Sequence, residues 1–236
     1  MSTPTAPVTV LTATLGQRPG YLEEAVGSVR AQTILPLEHI VVDDGSYSVG
    51  PLDDVHVLQV SHRGLGPARN TGLEIARGEA VALLDDDDIW WPQHLATVWS
   101  VMQETGADVV YADCAETGRR DGYAITVRDF DPDLLERENF ICVPATLVRT
   151  SALREVGGFG AGSLEDWDTW KRMARSGAVF VHVPVVTVTY RFHTDNLTYG
   201  GTEPDRTRAD KELREAAERG ELSWADYERR AAEVWQ

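Results

Sequence analysis

The sequence predicts an α/β protein with a mostly parallel central sheet flanked by helices and a helical extension at its C-terminal end. Two observations carry this. Strand-like and helix-like stretches alternate from the first residues onward, and repeated β-α-β order implies parallel pairing with crossover helices. Two acidic turns, DDGS from Asp43 and DDDD from Asp85, each follow directly on an apolar run, the position where ligands gather in such sheets.

Taken in order, Val8 to Thr12 reads as a buried strand, and Tyr21 to Ala31 as a helix with Leu22, Ala25, Val26 and Val29 on one face. His39 to Val42 is a second strand and Val55 to Val60 a third. Pro67 to Arg77 is a short helix, its start marked by the glycines of RGLGP and by a proline suited to a first turn. Ala80 to Leu84 is the next strand, Pro92 to Thr105 a helix with Leu95, Val98, Trp99 and Met102 at helical spacing, and Asp108 to Ala112 a strand. The second half is less regular. Ile141 to Val148 is strand-like, Ser151 to Val156 a short helix, GGFGAGS a glycine-rich loop, Glu165 to Ser176 a helix, and Phe180 to Arg191 one or two strands. From Gly200 the chain is charged and poor in aliphatics, with Arg206 to Gly220 and Ser223 to Trp235 as surface or partner-facing helices.

Composition narrows the function classes. At 236 residues, 42% apolar and 25% charged, the chain is ordinary for one large domain with an appendage. A formal net charge of −16 without a basic patch disfavours a nucleic-acid surface or an anionic membrane. No basic start and no run of about 18 apolar residues occurs, so secretion and membrane spanning are disfavoured as well. Cys114 and Cys142 are far apart and lack metal-ligand spacing, which reads as two buried free thiols in a cytoplasmic protein.

LLDDDDIWWP is the least ordinary stretch, because adjacent carboxylates repel one another and are costly to bury without a cation or a donor. If the run continues extended, Asp85 and Asp87 face the same way roughly 6–7 Å apart. That spacing suits a magnesium or manganese ion, which one or two carboxylates hold while water and phosphates complete its shell. A solvated turn or a helix N-terminus is the competing reading. For DDGS the rival is an Asx-type turn, and both roles are compatible. For the ED pair before the amphipathic helix of SLEDWDTWKRMARSG, the rival is helix capping by Ser163, Glu165 and Asp166. Trp90 and Trp91 read as hydrophobic bulk where the chain re-enters a helix, with sugar stacking as the alternative.

The segments VTVLTATLGQRPGYLEEAVGSVRAQT, IVVDDGS, GPARNTGLEIARGEAVALLDDDDIWWP, GGFGAGSLEDWDTWKRMARSG and YRFHTDN, in this order over residues 8 to about 198, resemble a family 2 glycosyltransferase, a nucleotide-sugar-dependent enzyme of the GT-A fold with a Rossmann-like sheet. The resemblance implies a transferase domain at 1–199, with a nucleotide-binding half to about 112 and an acceptor-binding half from about 113, followed by the extension at 200–236. It implies that Ala13 and Thr14 line the nucleotide base, that Asp44 accepts from the base with Asp43 beside it, and that Arg69 offsets diphosphate charge. The aspartate run matches the family's DxD element. Asp85 is then near the ribose or sugar and Asp87 is the metal ligand, with Asp86 and Asp88 supporting or solvent-facing. The extra aspartate leaves the pair Asp86 and Asp88 open as another frame.

The same resemblance makes Asp166 the catalytic base, with Glu165 its neighbour and substitute, His193 a third ligand for Mn2+ or Mg2+, and Arg191 a diphosphate contact. The implied reaction is inverting transfer from a nucleoside diphosphate sugar to an acceptor of unknown identity, with the metal on the leaving diphosphate. A sugar nucleotidyltransferase and a non-catalytic nucleotide-sugar binding module are the alternatives; the single arginine and sparse glycines of TATLGQRPG count against the first. Trp224, Tyr227 and Trp235 in the tail make a homodimer a further expectation.

Overall fold

The computed structural model describes residues 3–45, 49–118, 123–125, 128–160, 162, 164–193, 223 and 226. The chain divides into two compact units, Met1–Arg191 and Phe192–Gln236. In the first unit the order is β1 (Thr5–Thr14), α1 (Pro19–Arg30), β2 (Leu35–Asp43), β3 (His56–Gln59), α2 (Leu65–Ile75), β4 (Ala80–Leu83), β5 (Ile89–Trp90), α3 (His94–Thr105), β6 (Val109–Thr117) and β7 (Tyr123–Ile125). There follow α4 (Pro132–Leu135), a 3₁₀ turn at Val143–Ala145, β8 (Thr146–Arg149), α5 (Thr150–Glu155), α6 (Glu165–Arg175) and β9 (Phe180–Arg191).

Among the described residues the strands form one sheet in the order β3-β2-β1-β4-β8-β6-β9-β5, with β7 added on β6. β3, β2, β1 and β4 run parallel, as repeated β-α-β units require; β8 enters antiparallel between β4 and β6, and β9 runs parallel to β6. The parallel half places the ends of β1, β2 and β4 on one edge. Period-two alternation puts Leu11, Val81, Leu83, Val109 and Tyr111 into a core with Leu73 of α2 and Trp167, Trp170 and Met173 of α6. The intervening Val8, Val10, Ala82, Val110 and Ala112 pack on the other face against Ala25 and Val29 of α1 and Leu95, Val98 and Met102 of α3. A sheet covered on both faces explains why its strands read as continuous apolar runs.

Several elements differ from expectation. The strand-like run 141–148 yields strand only from Thr146, because Pro144 lacks a ladder donor and its segment turns as 3₁₀ instead. The last strand is a single one whose register to β6 shifts between Ala112 and Asp113, opposite Pro184 and Val185. The short elements β5, β7 and α4 gave too little period to be read. Trp90 is buried and donates through Nε1 to the Pro144 carbonyl, whereas Trp91 is exposed and donates to Thr189. Cys114 and Cys142 are not free thiols: they form a disulfide with a Cα–Cα distance of 6.9 Å. β6 and the segment entering the 3₁₀ turn are neighbours in the folded chain, a proximity that a sequence separation of 28 conceals.

Ser223 and Asp226 exchange hydrogen bonds, Asp226 N–H to Ser223 Oγ at 3.1 Å and the hydroxyl to the carboxylate at 2.7 Å, the pattern of a capped helix start. The rest of the expected tail helices, with Trp224, Tyr227 and Trp235, lies outside the described residues. No described helix is long and apolar enough to cross a membrane.

Two buried histidines give stability a pH dependence. His39 meets Thr12 at 3.1 Å, and His94 meets Thr187 at 2.8 Å with its ring 4.4 Å from that of Trp90. Burial pushes each down to about 3, the Arg30 charge assisting at His39. Between pH 6.5 and 3 the unfolded chain thus binds more protons than the folded one. The stability from neutral rings is complete above pH 6.5 and is lost as pH falls toward 3. At pH 5 each ring should have cost about 2 kcal/mol relative to pH 8. Urea unfolding of His94→Phe is expected to show a smaller loss between pH 7.5 and 5 than the wild type, and an equal loss would remove His94 from the account.

Candidate functional site

The four aspartates do not run extended. β4 ends at Leu83, and residues 85–88 form a turn closed by Asp88 N–H on the Asp85 carbonyl at 3.3 Å. Alternation therefore does not sort these carboxylates; their partners do. Asp85 Oδ1 accepts from Arg69 Nη2 at 2.6 Å, and its side chain keeps 29% exposure. Asp86 Oδ2 accepts from the Thr14 hydroxyl at 2.5 Å, and Arg18 lies 3.5 Å from its Oδ1 and 3.4 Å from Asp87 Oδ2. Asp88 is fully buried, with Oδ1 on the Arg191 backbone N–H at 2.7 Å and Oδ2 without a partner.

Crowding and burial act on this turn in one direction. Desolvation raises Asp86 to about 6 against the Thr14 bond, with the Asp87 charge adding to the rise. Burial, then the charges of Asp87 and Asp85, holds Asp88 well above the usual carboxylate range. Desolvation also raises Asp85, opposed chiefly by Arg69. Asp88 is thus closed to solvent, Asp86 and Asp87 are equally buried at 8% exposure, and Asp85 alone of the four has a side chain that is more than a quarter exposed.

Arg69 is the junction of the site. It stands on α2 with 2% exposure, its Nη1 on Glu165 Oε1 at 2.5 Å, its Nη2 on Asp85, and its guanidinium 5.5 Å over the Phe159 ring. The next residue, Asn70, holds Phe159 by both backbone groups, at 2.9 Å to its carbonyl and 2.8 Å from its N–H. α2 can approach this loop so closely because position 66 is glycine, where a Cβ would collide with the Gly160 carbonyl. The DDDD turn and the ED helix start, 80 residues apart, are joined through one buried cation. Arg69 therefore bridges two protein carboxylates, Asp85 and Glu165.

At the start of α6, the N-cap position is held by Leu164, which supplies no side-chain cap, and Ser163 lies outside the described residues. Glu165 is 2% exposed, and burial raises it to about 7 against the pull of Arg69, with Asp166 adding charge. Asp166 is half-buried and accepts from Asn139 Nδ2 at 2.8 Å. Of the pair, Asp166 is the carboxylate with a face to solvent.

The strand ends hold the remaining expected residues. Ala13 and Thr14 close β1, and the Thr14 hydroxyl accepts from Gly16 N–H at 2.9 Å while donating to Asp86. Asp43 takes N–H groups of Gly45 and Val49 at 3.0 and 2.9 Å, and Asp44 those of Arg63 and Gly64 at 2.8 Å each, so both carboxylates organise loops. Arg191 reaches the acidic turn with its backbone N–H; its guanidinium lies 4.1 Å over Tyr21 and bonds Glu24 at 2.5 Å, turned toward α1. His193 belongs to the second compact unit and is half-buried there. Arg18, Asn70 and Asn139 were not anticipated. A lone arginine in the β1–α1 connection was the available signal for Arg18, and Asn139 had none.

The model for "Glycosyl transferase family 2" matches residues 9–154. Among curated relatives, "Glycosyltransferase GlyG" of Streptococcus pneumoniae is 33% identical over 123 residues, 47% of this chain and 41% of the relative. "Succinoglycan biosynthesis protein ExoW" of Rhizobium meliloti is 34% identical over 119 residues, 45% of this chain and 37% of the relative. The chain thus spans well under half the length of these two. Among solved structures, S. aureus TarS 1–349 in complex with UDP-GlcNAc superimposes with a TM-score of 0.66 at 18% identity, covering 96% of this chain and 71% of that one. Its complex with UDP gives 0.62 at 18% identity, covering 96% and 70%. The architecture is the GT-A type, and with the family model matched over more than half of its length, this chain belongs to glycosyl transferase family 2.

Proposed function

We propose that the protein is an inverting glycosyltransferase that moves a sugar from a nucleoside diphosphate donor to an acceptor hydroxyl, with Mn2+ or Mg2+ on the diphosphate. The observation that carries the reading is the joining of Asp85 and Glu165 by Arg69, which ties the acidic turn to the start of α6, where the next residue, Asp166, is half-buried. Asp166 takes the proton of the acceptor hydroxyl, the acceptor oxygen forms a bond to the anomeric carbon, and the bond from that carbon to the diphosphate oxygen breaks on the opposite face. The nucleoside diphosphate leaves with the bonding pair.

The donor chemistry fits a divalent ion. Asp85 and Asp87 offer hard oxygen ligands from one turn, and no described group of three His, Cys, Asp or Glu side chains forms a cage. An ion held by one or two carboxylates and the substrate's phosphates needs no cage. Bound there, it would act as a Lewis acid on the leaving diphosphate. The solved complexes of TarS make UDP and UDP-GlcNAc the first ligands to test. Asp87→Asn is expected to weaken manganese-dependent UDP binding at least tenfold in titration calorimetry with the circular dichroism spectrum unchanged. Unaltered binding sinks the metal assignment. A homodimer belongs to the same proposal, whereas the Cys114–Cys142 pair removes the free-thiol ground on which a reducing cytoplasm was expected.

A further inference from the structure

The geometry points to Asn139 as a positioning residue that sets the orientation of the Asp166 carboxylate; this rests on the transfer reading above. The amide cannot be placed either way round. Its Oδ1 accepts the backbone N–H of Ile141 at 3.4 Å, an Asx-type turn, so the edge facing Asp166 Oδ2 at 2.8 Å is the donating NH2. With Oδ2 held by a neutral donor, the carboxylate is fixed in orientation and its other oxygen is left for an acceptor proton.

The segment bearing Asn139 is held from below. Phe140 and Ile141 are buried at 6% and 4% exposure, and Cys142 is bonded to Cys114 of β6. The adjacent carboxylate is fixed by other means, Glu165 on the buried Arg69. The two acids at the start of α6 are thereby divided: Glu165 anchors the helix to α2, and Asp166 is aimed by a rigid amide from a segment before β8. A side chain displaced by about 1 Å from productive geometry loses about a hundredfold in rate, which is the scale on which such an aim matters.

Asn139→Ala and Asn139→Asp separate positioning from folding. The readouts are melting temperature, UDP affinity by calorimetry, kcat and KM for UDP release from UDP-GlcNAc with water as acceptor, and crystal structures of both variants. Asn139→Ala is expected to lower kcat at least tenfold with KM and UDP affinity within twofold of wild type, and with Asp166 out of its wild-type rotamer. Asn139→Asp keeps the shape but sets a second carboxylate against Asp166, so its kcat is expected to fall below that of Asn139→Ala. A merely structural role would move melting temperature and UDP affinity together and would not order the two variants this way. Full kcat in Asn139→Ala, or an unmoved Asp166 in its crystal structure, overturns the inference. A wild-type protein that binds no UDP and releases none defeats the transfer reading instead, and the position of Asp166 in the variant structures then still decides the role of Asn139.

Discussion

Asp166→Asn is expected to lower turnover by a factor of about 10²–10⁴, the usual contribution of a positioned general base, while leaving UDP affinity unchanged. The substitution is nearly isosteric, and the new amide oxygen can still accept from Asn139, so the fold has no reason to respond. What disappears is the capacity to take a proton. Steady-state UDP release from UDP-GlcNAc, with calorimetry on the same preparation, checks it; a variant within threefold of wild type would remove Asp166 from the reaction. Glu165→Gln provides the contrast. That side chain is 2% exposed and bonded to Arg69, so its change should reach stability before it reaches turnover.

Arg69→Met should destabilise the fold by about 3–5 kcal/mol, because it removes the shared cation of two adjacent carboxylates and leaves the buried Glu165 without its partner. Burial already raises Glu165 to about 7 against the pull of Arg69, so its surroundings disfavour the charge. Arg69→Lys should recover only part of the loss, since one ammonium cannot present two divergent donors to Asp85 and Glu165. The pair should also be strongly non-additive: Arg69→Met combined with Glu165→Leu is expected to be more stable than Arg69→Met alone. Urea unfolding measures all of these. A loss below about 1 kcal/mol for Arg69→Met would mean that Asp85 and Glu165 relax to water, and the junction would not be the organiser of the site.

Much of this was legible in one dimension because the relevant signals are local. Leu22, Ala25, Val26 and Val29 announce α1 by period, and apolar runs ending in acidic turns announce strands of a covered parallel sheet. DDGS, DDDD and the ED pair each stood out because clustered carboxylates need a reason. The connections between them did not stand out. The bonds of Arg69 to Asp85 and Glu165 were not foreseen, because nothing in GPARNTG states that α6 will pack on α2 and deliver Glu165 to it. Cys114 and Cys142 were read as free thiols for the same reason, since their spacing is silent about the crossing of β6 with the entry to β8.

The sequence by itself determined the alternation of elements, the two-faced core, the identity of the acidic turns and the family to which the chain belongs. Those properties follow from residue periodicity and from short motifs, whose physics is complete within about a dozen residues. Only the tertiary structure decided how charge is apportioned among them: Asp85 to Arg69, Asp86 to Thr14 and Arg18, Asp88 to a backbone N–H, Asp166 to Asn139. A carboxylate's properties are set by burial and by donors within hydrogen-bond reach, and here most of those donors arrive from segments tens of residues away.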